Sequence, residues 1–177
     1  SREIIKKYKS NPKIKTIFQK KKGLNASNNV ALKEAKGDFL VRLDADDFLE
    51  KCAVENMYEL LNKNQEVAMV FPDYFNVNKS GQIINRVFRH DFNKAVSLMD
   101  QPAHGACTMI SRKVLEELGG YDEEFDRQDG YDIWLKIIFK YRVMNLNEPL
   151  FYYRQHDKNL TKDNLELFKA RASIKRK

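Results

Sequence analysis

The sequence predicts an α/β fold: a mixed, partly parallel sheet flanked by helices. Three observations carry that reading. Strand-like and helix-like apolar periods alternate through the first half of the chain, the order that βαβ units produce. A turn at Asn78-Lys79-Ser80-Gly81 separates two strand-like runs, which adds an antiparallel hairpin and makes the sheet mixed. The composition is that of a folded domain: 42% of the 177 residues are hydrophobic, 11% aromatic and 32% charged, too rich in aromatic and aliphatic side chains for a disordered chain. At this length a single domain over residues 1–177 is expected.

The elements follow in order. Residues 2–9 read as a helix, with Ile4, Ile5 and Tyr8 on one side, stopped by Asn11-Pro12. Lys13–Gln19 alternates polar and apolar residues as a half-buried strand does. Asn25 or Ser27 caps a helix through Ala35, which Gly37 ends. Asp38–Leu43 is a short apolar strand running into Asp44-Ala45-Asp46-Asp47. A helix over about Lys51–Asn62 places Val54, Met57, Tyr58 and Leu61 at helical spacing. Val67–Phe71 is a strand continued as Tyr74–Val77, and Gln82–Arg89 returns as the hairpin partner. Gly105–Ile110 reads as a buried strand, and Ser111 caps a helix that stops at Gly119-Gly120. Asp129 or Asp132 opens a helix through Phe139 that carries Trp134. Arg142–Leu146 and Pro149–Tyr153 are short strands, and a basic amphipathic helix over about 163–177 closes the chain. The stripes Phe71/Tyr74/Phe75 and Trp134/Ile137/Ile138 are assigned to the core.

Charge is distributed unevenly. The net charge is +7, but residues 1–25 carry nine basic residues against Glu3, and residues 158–177 carry seven against two acids. The remaining 16 basic and 22 acidic residues leave the middle of the chain at −6. A nucleic-acid-binding domain needs its positive charge on a structured reading face, so no nucleic-acid partner is expected. Basic ends suit solvent, substrate phosphates or peripheral contact with an anionic membrane face. No stretch approaches the ~18 uninterrupted apolar residues of a membrane span. Cys52 and Cys107 form no C-x-x-C pair, which excludes a finger-type zinc site; both are read as reduced, buried thiols of a cytoplasmic protein.

Three constellations could carry chemistry. Asp44-Ala45-Asp46-Asp47 lies at the carboxyl end of an apolar strand, where open α/β sheets place their ligand crevice. Three carboxylates in four residues repel one another unless a cation or a set of donors sits among them. Hard oxygen ligands suit Mg²⁺ or Mn²⁺, which typically uses one or two carboxylates plus substrate phosphates. The alternative is helix capping by Asp46 or Asp47. An EF-hand is excluded, because Leu49 stands where its loop needs Gly. The second constellation runs from Gly119 to Trp134, with six acids between Asp122 and Asp132 interleaved with Tyr121, Phe125, Tyr131 and Trp134. Such a loop packs, and a carboxylate fixed in it can be a general base. The third is Tyr152-Tyr153-Arg154-Gln155-His156, where Arg154 could clamp phosphate and His156 could ligate a metal. His90 and His104 are assigned no role.

Taken together and in this order, four segments resemble family 2 glycosyltransferases with the GT-A fold. They are Gly23–Asp47, Leu118–Phe125, Gln128–Lys136 and Glu148–His156, and the resemblance spans nearly the whole chain. It implies a GT-A-like (Rossmann-like) mixed sheet. It also implies transfer of a sugar from a nucleotide-sugar donor to a hydroxyl of a glycan or lipid-linked acceptor in polysaccharide or glycoconjugate biosynthesis, metal-assisted and inverting. Asp44 and Asp46 would form the D-x-D motif, Asp44 facing the donor ribose and sugar and Asp46 binding a divalent cation (Mg²⁺ or Mn²⁺) on the diphosphate. Asn25, Asn28 and Asn29 would line the donor site. His156 corresponds to a late metal- or diphosphate-contacting histidine, and Arg154 would steady the diphosphate. The family usually shows Glu-Asp in the acceptor loop, where this sequence has Asp129-Gly130. Asp129 is therefore the expected base and Asp132 the second choice. Family members also open with strands and a nucleotide-contacting loop that precede the helix at Ser1–Tyr8, so the resemblance implies an N-terminally truncated domain lacking the usual first strands. An unpaired edge beside Lys13–Gln19 would then favour a homodimer. A non-catalytic remnant that binds a glycan or a protein partner is the alternative reading.

Overall fold

The computed structural model describes residues 2–89, 105–125, 127–157, 159 and 164–177. His90 and His104, and Asp163 at the expected start of the last helix, lie outside the described residues. In chain order the elements are α1 (Arg2–Lys6), α2 (Leu24–Glu34), β1 (Phe39–Val41), β2 (Phe48–Leu49), α3 (Ala53–Lys63), β3 (Val67–Val77), β4 (Ile83–Val87), β5 (Met109–Ser111), α4 (Arg112–Glu117), α5 (Asp129–Ile138), β6 (Arg142–Arg154) and α6 (Asn164–Arg176). The strands form one mixed sheet in the order β1-β5-β3-β6-β2, with β4 paired to β3. Only β3 and β6 run parallel; the β1–β5, β2–β6, β3–β4 and β3–β5 pairs are antiparallel.

The centre of the sheet is β3, whose first seven residues are all buried, as expected for a strand covered on both faces. On one face Phe71, Met69 and Ile110 pack against Leu115 of α4 and Ile133, Trp134 and Ile137 of α5. Phe71 and Trp134 meet edge to face with centroids 5.9 Å apart, a geometry worth ~0.5–1.5 kcal/mol beyond area burial. On the other face Met57 and Leu61 of α3 cover Val67, Val70, Leu150 and Phe151. The core assignment therefore holds for Phe71, Trp134 and Ile137, while Tyr74, Phe75 and Ile138 are half-buried.

Several boundaries differ from the sequence expectation, each for a local reason. Val67–Phe71 does continue into Tyr74–Val77, through Pro72, which sits where the β3–β6 register shifts; a bulge is where a residue without an N–H can be accommodated in a ladder. Asn145 donates its side-chain amide to the Phe71 carbonyl there at 2.9 Å. Arg142–Leu146 and Pro149–Tyr153 likewise merge into β6, with Asn147 and Glu148 looped out between the pairs Pro72–Leu146 and Asp73–Pro149. The first helix stops at Lys6 and buries no residue. Lys13–Gln19 forms no strand: residues 14–23 have no regular structure, and only Thr16 of Lys13–Gln19 is shielded from solvent. Alternation can mark a face, but a strand also needs a partner edge. Residues 105–107 form a turn, so only the end of the expected Gly105–Ile110 strand is extended. Cys52 is exposed, which corrects its assignment as buried, whereas Cys107 is buried.

Ser111 caps α4 as expected, its Oγ accepting from the Val114 N–H at 3.4 Å. Gly119 and Gly120 terminate the helix with φ of 79° and 74°. A Cβ on Gly120 would lie 2.7 Å from Asn29 Oδ1. No described helix is long and apolar enough to cross a membrane.

Candidate functional site

The Asp44–Asp47 turn leaves the carboxyl end of β1 and is clamped to the far end of β6. Phe48 and Tyr152, paired across β2 and β6, stack with centroids 4.4 Å apart. The Arg154 N–H donates to Asp47 Oδ1 at 2.8 Å, and Arg154 Nε donates to the Asp46 carbonyl at 2.8 Å. Arg154 Nη1 reaches the carbonyls of Asn78 and Lys79 at 3.2 and 2.8 Å. The guanidinium thus ties the acidic turn to the β3–β4 hairpin. Burial is the main cause that raises the Asp47 carboxyl to about 6, with Asp46 and Asp44 adding to it and the Arg154 N–H opposing it.

This clamp carries His156 to the turn. His156 Nε2 lies 2.7 Å from Asp46 Oδ2, across 110 positions of sequence. Asn159, which the sequence reading passed over, shapes the bend: its Oδ1 accepts from the His156 N–H at 2.6 Å, and its amide donates to Tyr153 Oη and the Arg154 carbonyl, each at 2.9 Å. The pair is open to solvent, with the His156 and Asp46 side chains 24% and 45% exposed. Among the described residues no group of three or more His, Cys, Asp or Glu converges as a complete metal cage. A carboxylate and an imidazole with open positions fit a cation that takes its remaining ligands from a substrate diphosphate and water.

The other half of the site is buried. Asp129, the first residue of α5, meets Asp44 through Arg42, a residue the sequence reading also passed over. Arg42 Nη2 donates to Asp44 Oδ2 at 3.1 Å, and its Nε lies 3.0 Å from Asp44 Oδ1 as an ion-pair contact without a hydrogen bond. Its Nη1 donates to Asp129 Oδ2. The Arg42 and Asp129 side chains are 16% and 8% exposed. Burial disfavours the charge on Arg42, but Asp129 and Asp44 more than offset that and raise its pKa. One sequence signal was available: Arg42 is the single charge inside Phe39–Leu43, two residues before Asp44 and so on the same side of an extended chain.

Asp132, the second candidate base, is one turn further along α5 and pairs with Lys136 at 2.6 Å. The asparagines of α2 hold the neighbouring loop. Asn25 donates to the Asp122 carbonyl at 2.6 Å. Asn29 donates to the Tyr121 carbonyl at 2.8 Å and accepts from the Tyr121 N–H at 2.8 Å. Asn25 Oδ1 and Asn28 Nδ2 are buried without a hydrogen-bond partner. None of the three asparagines has a described hydrogen bond to Asp44 or Asp46. Tyr121, fixed by this loop, has its hydroxyl pushed up to about 12 by burial, with Asp129 adding and Arg42 opposing.

A separate buried pair anchors the hairpin. Asp73 is fully buried and accepts from Arg86 Nη2 at 2.9 Å and from the Arg89 N–H at 2.8 Å. Burial lowers the Arg89 guanidinium to about 10.

A family model described as "Glycosyl transferase family 2" matches residues 1–119. The chondroitin synthase of Escherichia coli is 24% identical over 162 residues, covering 92% of this chain and 24% of the relative. The chain therefore spans about a quarter of that relative's length. The crystal structure of S. aureus TarS 1-349 superimposes with a TM-score of 0.71 at 16% identity, covering 98% of this chain and 51% of that one. The crystal structure of the same protein in complex with UDP-GlcNAc gives a TM-score of 0.68 at 16% identity, over 98% of this chain and 56% of that one. At these identities the structural likeness establishes the fold: a mixed α/β sheet with flanking helices.

Proposed function

Since this chain belongs to glycosyl transferase family 2, we propose that it transfers a sugar from a nucleoside-diphosphate donor to an acceptor hydroxyl in the synthesis of a polysaccharide or glycoconjugate. The observation that carries the reading is the 2.7 Å approach of His156 to Asp46 across 110 positions of sequence, at the end of a strand whose preceding turn residue Asp44 is joined through Arg42 to Asp129. A donor-binding corner and a candidate base are thereby built from opposite ends of the chain. The complex of a structural neighbour with UDP-GlcNAc supports a UDP-sugar as the donor class. Similarity to a chondroitin synthase supports a saccharide as the acceptor.

The donor set at the corner fits a divalent cation, Mg²⁺ or Mn²⁺, held by Asp46 and His156. Bound there, such an ion would neutralise the diphosphate as it leaves. The chain's own residues supply the rest. Asp44 faces the ribose and sugar hydroxyls. Arg154 keeps the Asp46 backbone in place. Asn25 and Asn29 hold the loop that forms the crevice wall, and Asn28 stands beside them with an unsatisfied amide. Asp129 takes the proton from the acceptor hydroxyl. That oxygen bonds to the anomeric carbon, the bond from that carbon to the diphosphate breaks on the opposite face, and the nucleoside diphosphate departs with inversion. Asp132 is the second candidate for base, its carboxylate paired with Lys136 at 2.6 Å.

Release of UDP from UDP-N-acetylglucosamine in the presence of Mn²⁺ tests this reading. Asp46→Asn and Asp129→Asn are expected to lose most of the wild-type rate, a general base being worth ~10²–10⁴-fold. Wild-type rates in both variants would overturn the reading.

A further inference from the structure

Arg42 is the one side chain that touches both carboxylates of the buried half, and three features of the backbone are arranged around that contact. Gly105 packs directly on it: a Cβ there would lie 3.0 Å from Arg42 Nη1 and Nη2 and 3.0 Å from Asp129 Oδ2. The two described non-glycine residues with positive φ, Cys107 at 52° and Gln128 at 62°, flank the pair. The Cys107 N–H donates to the Arg42 carbonyl at 2.8 Å, and Gln128 immediately precedes Asp129. Strained backbone persists only where its surroundings over-determine it, and it clusters at working sites. Here it brackets an ion pair between β1 and α5.

We propose that Arg42 is a positioning residue of the transfer reaction, one that fixes the Asp129 carboxylate by its Oδ2 and leaves Oδ1 as the atom that accepts the proton. The inference rests on Asp129 being the base. Among the described residues Arg42 is the only hydrogen-bond partner of the Asp129 carboxylate, so its other oxygen is uncommitted. Among the described residues the charged and titratable groups around Asp129 include Arg42, one residue past the end of β1, Asp44 beyond it, Tyr121 from the loop, and Asp132 and Lys136 on its own helix. Arg42 is the only described cation in direct contact. A lysine could keep the charge but not the planar fork whose Nη2 and Nη1 reach Asp44 and Asp129 separately.

Two measurements test this on the chain and its variants. The first is ¹⁵N NMR of the guanidinium groups, with the Arg42 signals identified by their loss in Arg42→Lys. Slow rotation of Arg42 is expected in the wild type and faster rotation in Asp129→Asn, where Asp44 alone holds the guanidinium; fast rotation in the wild type, or the same rotation in both, would overturn the proposal. The second is the kinetics of Mn²⁺-dependent UDP-N-acetylglucosamine hydrolysis. A residue that acts through Asp129 should, as Arg42→Lys, lower kcat with the KM for the donor little changed, and should add no further loss when combined with Asp129→Asn. A rigid Arg42 with an unchanged kcat, or with a loss that adds fully to that of Asp129→Asn, leaves it only a structural tie and also overturns the proposal. The failure of the underlying reading looks different: Asp129→Asn would hydrolyse the donor as fast as the wild type, or the wild type would not hydrolyse it at all. In that event the guanidinium measurement alone decides where Arg42 is held.

Discussion

Asp44 and Asp46 stand two residues apart and meet opposite surroundings. Asp44, its side chain 32% exposed, is ion-paired with Arg42, which also holds the buried Asp129. Asp46 sits at an open corner, its side chain nearly half exposed and faced by His156. The first region carries its counter-charge within the protein. The second offers a carboxylate and an imidazole that can accept a positive ion from outside. One acidic turn thus meets two different partners, a guanidinium at one carboxylate and an imidazole at the other.

Four experiments would break or sharpen that contrast. The largest effect is expected from Asp129→Asn, a loss of ~10²–10⁴-fold in donor hydrolysis with Mn²⁺–UDP binding retained, because Asp129 belongs only to the buried half. Gly105→Ala comes next. Its methyl group would press on the Arg42–Asp129 contact and should cost about 1–3 kcal/mol by overpacking, read by urea denaturation. It should lower hydrolysis and leave Mn²⁺ affinity alone. Asn159→Ala should do the reverse. Losing the contacts to His156, Tyr153 and Arg154 should cost about 1 kcal/mol of stability and weaken Mn²⁺ binding, measured by calorimetry in the presence of UDP. If Gly105→Ala and Asn159→Ala impair the same property, the two halves are one unit and the contrast fails.

The smallest effect concerns Cys107, which lies behind the buried half. Burial pushes its thiol up to about 12, so below that pH it is protonated and unreactive. Cys52 is exposed. Iodoacetamide at pH 8 should therefore add one group to the folded chain and a second only in denaturant, as counted by mass spectrometry. Two additions to the folded chain would mean that the Cys107 corner is open.

Much of this was legible in the residues, and the limits have physical causes. The acidic turn could be placed at a strand end because the apolar run Phe39–Val41 stops there. The cap at Ser111 and the stop at Gly119-Gly120 were readable because capping and left-handed turns depend on local chemistry. The meeting of Asp46 with His156 followed only from resemblance, since no local rule spans 110 positions. Arg42 was missed because a lone charge in a short strand looks like an exposed edge residue; its partner lies 87 positions away. Lys13–Gln19 had the right alternation, but no described strand pairs with it. A break before Pro149 was expected in a strand that in fact passes through it, because the β3–β6 register absorbs the extra residues at a bulge.

The central claim is that Asp46 and His156 together hold a divalent cation on the donor diphosphate. Its most direct test is pulsed electron paramagnetic resonance of Mn²⁺–UDP bound to the chain. The account predicts a ¹⁴N modulation from a directly coordinated imidazole, present in the wild type and absent in His156→Gln, with Mn²⁺ affinity reduced in Asp46→Asn. Bound Mn²⁺–UDP with no ¹⁴N coupling in the wild type, or with the same coupling in His156→Gln, would contradict it.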